Sequence, residues 1–435
     1  MNLQIHHAKT PRRQGEMDFS KISTQRRKDA KNAKRIHKTR KLIFLKFLFL
    51  FSIFSSSYFI AAQTPAITSQ SAVVMDATTG TVVFHKNADD EIPPASLTKL
   101  MTMHLAMREI AAGKASLNEI ILPPRESWAI NQLPRSSLMG LANGQRLSLN
   151  ELFLGMSVFS GNDAATAVAL RFSPSVNDFV EMMNREAAAL GLNKTRFVDT
   201  SGYSEENMTT ARELAEFCRI YLKMHPESLR DYHSVREFAY PKLENYIDFS
   251  PDNITARARR NTNALLPRVD GVDGLKTGYI PESGYNIVLT AERYGSRFIA
   301  VLMGAPRDRM RDEDGEKLIE WAFANYRTIK PEIGAFEPVR IWKGRGKYEN
   351  ILPLEHLEFT TLAERGGEIS WHSLINEPLI APLPAGSRAG ELVIYDSLGE
   401  LRRIPLVTVR DIEKGGFFKR LFDTIRLFFM KSKNN

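Results

Sequence analysis

The order of strand-like and helix-like segments is the feature that most restricts what this chain can fold into. Two short β-branched runs flank Thr79-Gly80 in "SAVVMDATTGTVVFHK", which predicts a β-hairpin. Helical apolar spacing dominates residues 150–222, strand patterns return in residues 286–293 and 297–303, and a helix is predicted over residues 313–326. Strands from both ends of such a segment can share one antiparallel sheet, with the helices packed on it. The pattern therefore predicts an α+β domain of three layers.

The sequence changes in character after about residue 332. Residues 336–410 are short alternating runs separated by Pro and Gly, and they include "GELVIYDSLGELRRIPLVTV", which has the form of a hairpin. This texture predicts a small all-β domain.

The last segment, residues 414–435, predicts an amphipathic helix. Its polar face is cationic, since the segment holds six Lys/Arg against one Asp. Its other face carries large apolar side chains, which are Phe417, Phe418, Leu421, Phe422, Ile425, Phe428 and Phe429. Such a helix is typical of segments that lie on an anionic membrane surface, and its frequent charges exclude a membrane span. The alternative is a terminal helix packed on the preceding domain.

Residues 1–62 predict export. Residues 1–41 hold 13 Lys/Arg against 3 Asp/Glu and lead into a Phe/Leu-rich apolar stretch that ends in small residues. This is the form of a secretory signal peptide with a long basic leader, and we expect cleavage at Ala62. The alternatives are an uncleaved signal anchor over residues 42–60 and a translation start at Met17.

The basic leader also accounts for the net charge of the chain. That charge is +9, and residues 1–41 alone contribute +10, so the remainder is close to neutral. Proteins that bind nucleic acid concentrate positive charge in their folded part, so we expect no nucleic-acid partner.

Several common enzyme classes are excluded by missing motifs. The chain contains neither the G-x-S-x-G elbow of a Ser-His-Asp hydrolase nor the H-E-x-x-H of a zinc peptidase. We expect most histidines after the leader to be ordinary surface or half-buried residues; they are His85, His104, His225, His233, His356 and His372. Cys218 is the only cysteine, which excludes an internal disulfide, and its apolar neighbours predict a buried, unreactive thiol.

Ser96 and Lys99 form the first candidate pair of catalytic residues. Ser96 is the only serine followed by lysine three positions later, and the pair opens a helical pattern after Pro93-Pro94. A lysine can act as a base near neutral pH only if burial or a second cation lowers its pKa. That second cation is available in Lys276-Thr277-Gly278, the only K-T-G in the chain. The ordinary alternatives are a solvated helix lysine and a turn between strands.

The third element is Ser-x-Asn, which occurs three times within residues 148–177. In Ser148-Leu149-Asn150 the asparagine is interpreted as a helix N-cap, and Ser175-Val176-Asn177 likewise has the form of a helix start. Only Ser160-Gly161-Asn162 lies between two helical segments with a glycine between them, so we select Ser160 and Asn162.

In this order, S-x-x-K, S-x-N and K-T-G resemble the signature of penicillin-recognising serine enzymes. The segments "SAVVMDATTGTVVFHKNADDEIPPASLTKLMT" and "VDGLKTGYIPESGYNIVLTA" are similar to the low-molecular-mass D-alanyl-D-alanine carboxypeptidases, the penicillin-binding protein 5/6 group, over about residues 66–330. The resemblance implies a β-lactamase/transpeptidase-like three-layer domain over residues 63–332. It also implies removal of the terminal D-alanine from peptidoglycan stem pentapeptides, inhibition by β-lactams, and no metal or organic cofactor.

The resemblance implies a role for each residue of the catalytic group. Ser96 attacks the carbonyl between the two D-alanines, and Lys99 accepts its proton. The backbone N–H groups of Ser96 and Tyr279 form the oxyanion hole. Ser160 relays a proton to the departing D-alanine, while Asn162 holds the substrate amide and orients Lys99.

The same resemblance implies the carboxylate-binding residues. Lys276 and Thr277 bind the terminal carboxylate, and Gly278 lets the backbone approach the substrate. Arg311 corresponds to a family arginine near this pocket; the alternative is a surface ion pair with Asp312 or Glu316.

Two other functions are alternatives to this one. A β-lactamase on the same fold would need a glutamate in an E-x-x-L-N setting, and none occurs between Asn162 and Lys276. A non-catalytic cell-wall scaffold would have lost chemical residues that are intact here. We therefore expect an exported carboxypeptidase, held peripherally at the periplasmic face of the cytoplasmic membrane by its terminal helix.

Overall fold

The computed structural model describes residues 64–247 and 257–431, so the predicted signal peptide lies outside the described residues. The α-helices of this part of the chain are α1 (Lys99–Ala111), α2 (Leu149–Val158), α3 (Asn162–Phe172), α4 (Val176–Ala189), α5 (Ala211–Met224), α6 (Asp308–Asn325) and α7 (Phe417–Lys431). The strands up to α6 are β1 (Ser71–Asp76), β2 (Val82–Lys86), β3 (Ile120–Ile121), β4 (Leu147–Ser148), β5 (Glu237–Tyr240), β6 (Arg257–Arg260), β7 (Val272–Ile280), β8 (Gly284–Arg293) and β9 (Ser296–Ala305).

Five of these strands form one antiparallel sheet in the order β2-β1-β9-β8-β7. The two ends of the segment meet in it as expected, because β1 pairs with β9 along its whole length. Among the described strands, β7 is at the edge of the sheet and pairs with β8, with Lys276 opposite Val288.

The sheet lies between two apolar cores, which makes the three layers. Alternate side chains of a strand point to opposite faces, so Val73 and Val301 pack on the side of α1–α5. Val74 and Leu302 pack on the opposite side, where α6 contributes Leu318.

Two elements differ from the sequence-based expectation. Helix α6 begins at Asp308, five residues before the predicted start, because its first turns are charged and carry no apolar periodicity. Strand β7 was not among the predicted strands, and a turn was the ordinary alternative for its K-T-G motif, since its glycines interrupt the β-branched pattern. It is a strand of nine residues that includes the whole K-T-G motif.

The C-terminal part consists of short strands around a core of its own. These strands are β10 (Tyr326–Ile329), β11 (Val339–Trp342), β12 (Tyr348–Glu349), β13 (Ile351–Pro353), β14 (Phe359–Leu362), β15 (Ser370–Ile375), β16 (Leu379–Ile380), β17 (Arg388–Asp396) and β18 (Gly399–Thr408). Strands β17 and β18 form the expected hairpin, inside a sheet ordered β13-β18-β17-β15.

A buried carboxylate joins the two parts. Asp76, at the end of β1, accepts hydrogen bonds from the hydroxyls of Thr328 and Thr360 at 2.7 and 2.8 Å. It also accepts from the backbone N–H groups of Thr78 and Thr79 at 2.8 and 3.2 Å. The sheet of the N-terminal part and strand β14 are therefore linked through one fully buried side chain.

Candidate active site

Ser96 lies on a tight turn between the two prolines and α1. Residues Ala95–Thr98 form a 3₁₀ turn, so the α-helix begins at Lys99 and not at the serine. Ala95 has a φ of 51°, a left-handed conformation that is costly for a residue with a side chain. A Cβ on Gly202 would lie 1.7 Å from the carbonyl oxygen of Ala95, so only glycine fits against this turn.

Lys99 is completely buried and bonded to neutral acceptors. Its Nζ donates to Ser96 Oγ at 2.9 Å, to Asn162 Oδ1 at 2.7 Å and to the carbonyl of Ser201 at 2.8 Å. Burial lowers the pKa of the amine to about 7, although the carboxylates of Asp199 and Asp163 oppose this change. The neutral amine, which can accept a proton, is therefore available near neutral pH.

A second buried lysine, Lys276, lies close to the first. It is 1% exposed, and among the described residues its Nζ donates only to the carbonyl of Thr277, at 2.9 Å. Burial, followed by the charges of Lys99 and Arg311, holds the pKa of Lys276 well below its usual range. The structure thus brings together the two cations that sequence reasoning paired. For Lys99 itself the main cause of the lowered pKa is burial.

Ser160 and Asn162 lie where two helices meet. Ser160 follows α2 with a φ of 58°, and Asn162 is the first residue of α3. Both side chains are buried, and Asn162 faces Lys99 through the bond given above. The interpretation of Asn150 as an N-cap is wrong. Ser148 caps α2, because its Oγ accepts from the N–H of Glu151, whose carboxylate bonds back to Ser148.

Gly278 allows β7 to touch the serine turn. A Cβ at this position would lie 2.9 Å from the carbonyl oxygen of Pro94 and 3.0 Å from the backbone nitrogen of Ser96. Thr277 Oγ1 donates to Thr262 Oγ1 at 2.6 Å. The side chain of Tyr279 is half exposed and packs on Tyr285, with ring centroids 4.3 Å apart.

Arg311 is buried at the start of α6. Its Nε and Nη2 both donate to Asp312 Oδ1, at 2.8 and 2.6 Å. The ion pair considered as the alternative is therefore present, although it is buried and not on the surface. Arg311 is also near enough to Lys276 for its charge to lower the pKa of that lysine.

Two aspartates that sequence reasoning missed shape the site. Asp163 accepts from the backbone N–H groups of residues 139–141 and 164, at 2.7 to 3.0 Å, and so holds a loop beside Asn162. Asp199 accepts from the N–H groups of Ser201 and Gly202 at 2.7 and 2.6 Å, which fixes the carbonyl that receives Lys99. Two features of the sequence indicate these aspartates. Asp163 directly follows the S-x-N motif, and Asp199 is the first residue of the "DTSG" turn.

The expectation for the histidines is wrong at three positions. His104, His225 and His233 are buried, and they surround the ring of Tyr221. Helix α5, which carries Tyr221, also buries Cys218, and burial raises the pKa of that thiol, as expected for an unreactive cysteine.

Comparison with known proteins gives one consistent result. The family described as D-alanyl-D-alanine carboxypeptidase matches residues 59–307. D-alanyl-D-alanine carboxypeptidase DacD of Escherichia coli is 34% identical over 403 residues, which cover 88% of this chain and 98% of the relative.

Solved structures agree with the sequence matches. Penicillin-binding protein 5 of Haemophilus influenzae aligns with a TM-score of 0.70 and 28% identity, covering 81% of this chain and 99% of that one. Penicillin-binding protein D2 of Listeria monocytogenes, in a cefotaxime-bound form, aligns with a TM-score of 0.52 and 29% identity, covering 60% of this chain and 99% of that one.

These similarities confirm the predicted fold class and the predicted family. They also agree with the local arrangement, in which a serine, a buried lysine and a K-T-G strand meet. The chain belongs to the D-alanyl-D-alanine carboxypeptidase family and is a serine-type D-Ala-D-Ala carboxypeptidase.

Proposed function

We propose that this carboxypeptidase removes the terminal D-alanine of peptidoglycan stem pentapeptides through an acyl-enzyme on Ser96. The observation that carries the proposal is the 2.9 Å distance between Ser96 Oγ and the Nζ of Lys99, a fully buried amine. Since burial lowers the pKa of Lys99 to about 7, a neutral amine can take the serine proton.

Acylation follows from this pair. The deprotonated Oγ of Ser96 attacks the carbonyl carbon between the two D-alanines, and the negative charge that develops on the carbonyl oxygen is met by the N–H groups of Ser96 and Tyr279. The close approach of Gly278 to the nitrogen of Ser96 supports this assignment, because it brings the two backbone segments together.

Ser160 passes the proton from Lys99 to the nitrogen of the departing D-alanine as the C–N bond breaks. Asn162 orients Lys99 through their 2.7 Å hydrogen bond and binds the substrate amide with its other group. Water then attacks the ester and releases the shortened peptide, which regenerates Ser96.

The terminal carboxylate of the substrate binds at the edge strand. Lys276 and the hydroxyl of Thr277 are its ligands, and a carboxylate beside Lys276 would favour the charged form of that lysine. Arg311 contributes positive charge to the same pocket from its place beside Asp312.

β-Lactams are inhibitors under this proposal, because their strained amide and carboxylate occupy the same places as the D-Ala-D-Ala unit. The structural relatives that hold cefotaxime and ampicillin support this proposal. The β-lactamase alternative predicts a different time course of β-lactam hydrolysis. Nitrocefin should give a burst of one equivalent with the carboxypeptidase and sustained turnover with a lactamase.

The decisive experiment measures D-alanine release from a model pentapeptide. Ser96→Ala should abolish release and covalent labelling by a fluorescent penicillin. Ser157→Ala, which removes a buried hydroxyl from the nearby helix α2, is the matched control and should retain both activities. Release by the Ser96→Ala variant would contradict the assignment, and an unreactive wild type would favour the non-catalytic scaffold.

The location that we propose is the periplasmic face of the cytoplasmic membrane. In the described ranges, 64–247 and 257–431, no helix is long and apolar enough to cross a membrane. On α7 the large apolar side chains that the sequence placed on one face are 46 to 74% exposed, whereas Asp423 is buried against the β-rich part. This arrangement supports surface binding by α7 more than the alternative of a packed terminal helix.

Vesicle co-sedimentation tests the membrane proposal. The full chain should bind vesicles that contain phosphatidylglycerol and should bind less at high salt or to neutral vesicles. Phe422→Ser should weaken binding, while Tyr348→Ser, a comparable exposed aromatic of the β-rich part, should not. Equal binding by both variants would assign the contact to another surface.

A further inference from the structure

The two edges of strand β7 have different neighbours. On one side β7 pairs with β8 along the sheet. On the other side the serine turn approaches Gly278, and a short π-helical turn, Leu229–His233, approaches Gly274. An edge strand leaves backbone groups without a sheet partner, so what covers them decides how firmly the strand is held.

One imidazole covers the carbonyl next to Lys276. His233 Nδ1 lies 3.1 Å from the carbonyl oxygen of Leu275, and its Nε2 lies 2.8 Å from the hydroxyl of Tyr221. A carbonyl oxygen can only accept, so Nδ1 carries the hydrogen and Nε2 accepts from Tyr221. The two contacts together fix the tautomer and the orientation of the ring.

The backbone is packed directly against this ring. A Cβ on Gly274 would lie 3.1 Å from His233 Cβ and 3.2 Å from Leu229 Cδ2. The neighbouring carbonyl, that of Gly274, accepts from Asn263 Nδ2 at 3.3 Å. Two consecutive carbonyls immediately before the K-T-G motif are therefore held by side chains from outside the sheet.

The ring stays neutral in this place. His233 is fully buried, and burial lowers its pKa to about 3, with the nearby charge of Lys276 acting in the same direction. Burial raises the pKa of Tyr221, so its hydroxyl remains a donor. Near neutral pH the ring is therefore uncharged, and Nδ1–H is its donor to the Leu275 carbonyl.

We propose that His233 is a positioning residue for the carboxylate pocket, because it holds the Leu275 carbonyl and so sets where Lys276 and Thr277 lie. The inference rests on the proposed role of Lys276 and Thr277 in binding the substrate carboxylate. His233 is too deeply buried to touch the substrate, and it acts through the strand.

The test compares two acylating agents that differ only in the carboxylate. Benzylpenicillin carries that group, and its methyl ester does not. The ratio of their acylation rates measures use of the carboxylate pocket and does not depend on the fraction of folded enzyme. In His233→Gln the amide replaces Nε2 but leaves no donor at Nδ1, so the ratio should fall about tenfold.

The matched variants separate positioning from stability. His233→Asn places an amide N–H where Nδ1 was, so it should restore most of the ratio. His225→Asn alters a second buried imidazole on the same tyrosine ring, 5.2 Å from it between ring centroids, without touching β7. Its ratio should equal that of the wild type, whatever its melting temperature.

Each outcome decides one question. An unchanged ratio in folded His233→Gln overturns the inference, while a wild type that does not distinguish the acid from its ester contradicts the proposed carboxylate pocket instead. If His233→Gln does not fold, Tyr221→Phe takes its place, because loss of the hydroxyl lets the ring adopt the wrong tautomer. A fall of about twofold supports the inference, and no fall overturns it.

Discussion

The surroundings of Ser96 and the β-rich part, residues 339–408, use cationic side chains in opposite ways. Around the serine, Lys99 and Lys276 are at most 1% exposed, and within the described residues they donate only to neutral groups. In the β-rich part the cations lie at the surface and pair with carboxylates: Arg365 bonds to Asp396, and Arg403 bonds to Glu391 and Glu400.

The pKa shifts reflect this difference. Burial lowers the pKa of Lys99, whereas pairing with Glu400 and Glu391 raises the pKa of Arg403. A buried cation without a carboxylate partner costs stability, and a chain retains one where the chemistry needs it. The active site can therefore be recognised by buried lysines that form no ion pair with a carboxylate among the described residues.

The largest effect should come from removing the buried amine. Lys99→Met keeps the length of the side chain but cannot accept a proton, so D-alanine release should fall by about 10³-fold. The melting temperature should not fall, because an apolar side chain replaces a desolvated amine. Lys114→Met, at an exposed lysine, is the control. A variant that is fully active, or active but much less stable, would contradict the comparison.

The pH dependence of catalysis should follow the protonation state of Lys99. Since the pKa of Lys99 is lowered to about 7, the neutral form is lost as pH falls, and kcat/KM should decrease about tenfold per unit well below that pH. Steady-state rates with a soluble pentapeptide, measured where the protein stays folded, give the midpoint. A profile without an acid limb would remove Lys99 as the base.

The stability of the folded protein should increase as the pH rises above about 7, because of Lys99. Lys99 has a pKa of about 7 in the folded protein and an ordinary pKa of 10.5, so the unfolded chain binds more protons between these values. The free energy of unfolding should therefore rise with pH in the lower part of this window. In Lys99→Met the rise should be smaller, which urea titrations at two pH values would measure.

The sequence predicted those parts of the site that depend on local spacing. Ser96 and Lys99 are three residues apart, and one helical turn is enough to bring Nζ to Oγ. Asn162 could be preferred to Asn150 and Asn177 because a glycine between two helices is a local feature. The need for a second cation pointed to Lys276 in the K-T-G motif, and the family resemblance then implied its role in binding the carboxylate.

The remaining contacts depend on the fold. The carbonyl of Ser201, which receives Lys99, is 102 residues away in sequence, and a backbone group carries no sequence signal. His233 meets Leu275 across 42 residues, so its type alone gave no reason to separate it from a surface histidine. The first turns of helix α6 contain the buried charged residues Arg311 and Asp312, and this lack of apolar spacing concealed the start of the helix.

A smaller effect is expected where the two parts meet. Asp76→Ala removes the acceptor of four hydrogen bonds and leaves the hydroxyls of Thr328 and Thr360 without it. The free energy of unfolding should fall by about 2–3 kcal/mol in urea denaturation. Turnover of a soluble pentapeptide should not change, because Asp76 is not part of the site. The exposed variant Asp411→Ala is the control, and a large loss of turnover would mean that the junction also shapes the groove.

The smallest effect should come from the surface pairs of the β-rich part. Arg403→Gln removes the contacts with Glu391 and Glu400, but the arginine side chain is 43% exposed, so water and salt replace most of what is lost. The melting temperature should change by about 1 °C or less, and less still at high salt. A fall as large as that of Asp76→Ala would show that exposed ion pairs stabilise the β-rich part substantially. The surface arginines and the buried lysines would then differ in exposure but not in how much they matter to the protein. An unchanged melting temperature, beside the activity loss of Lys99→Met, would show that the exposed ion pairs contribute little to stability, whereas the unpaired buried amine is required for activity.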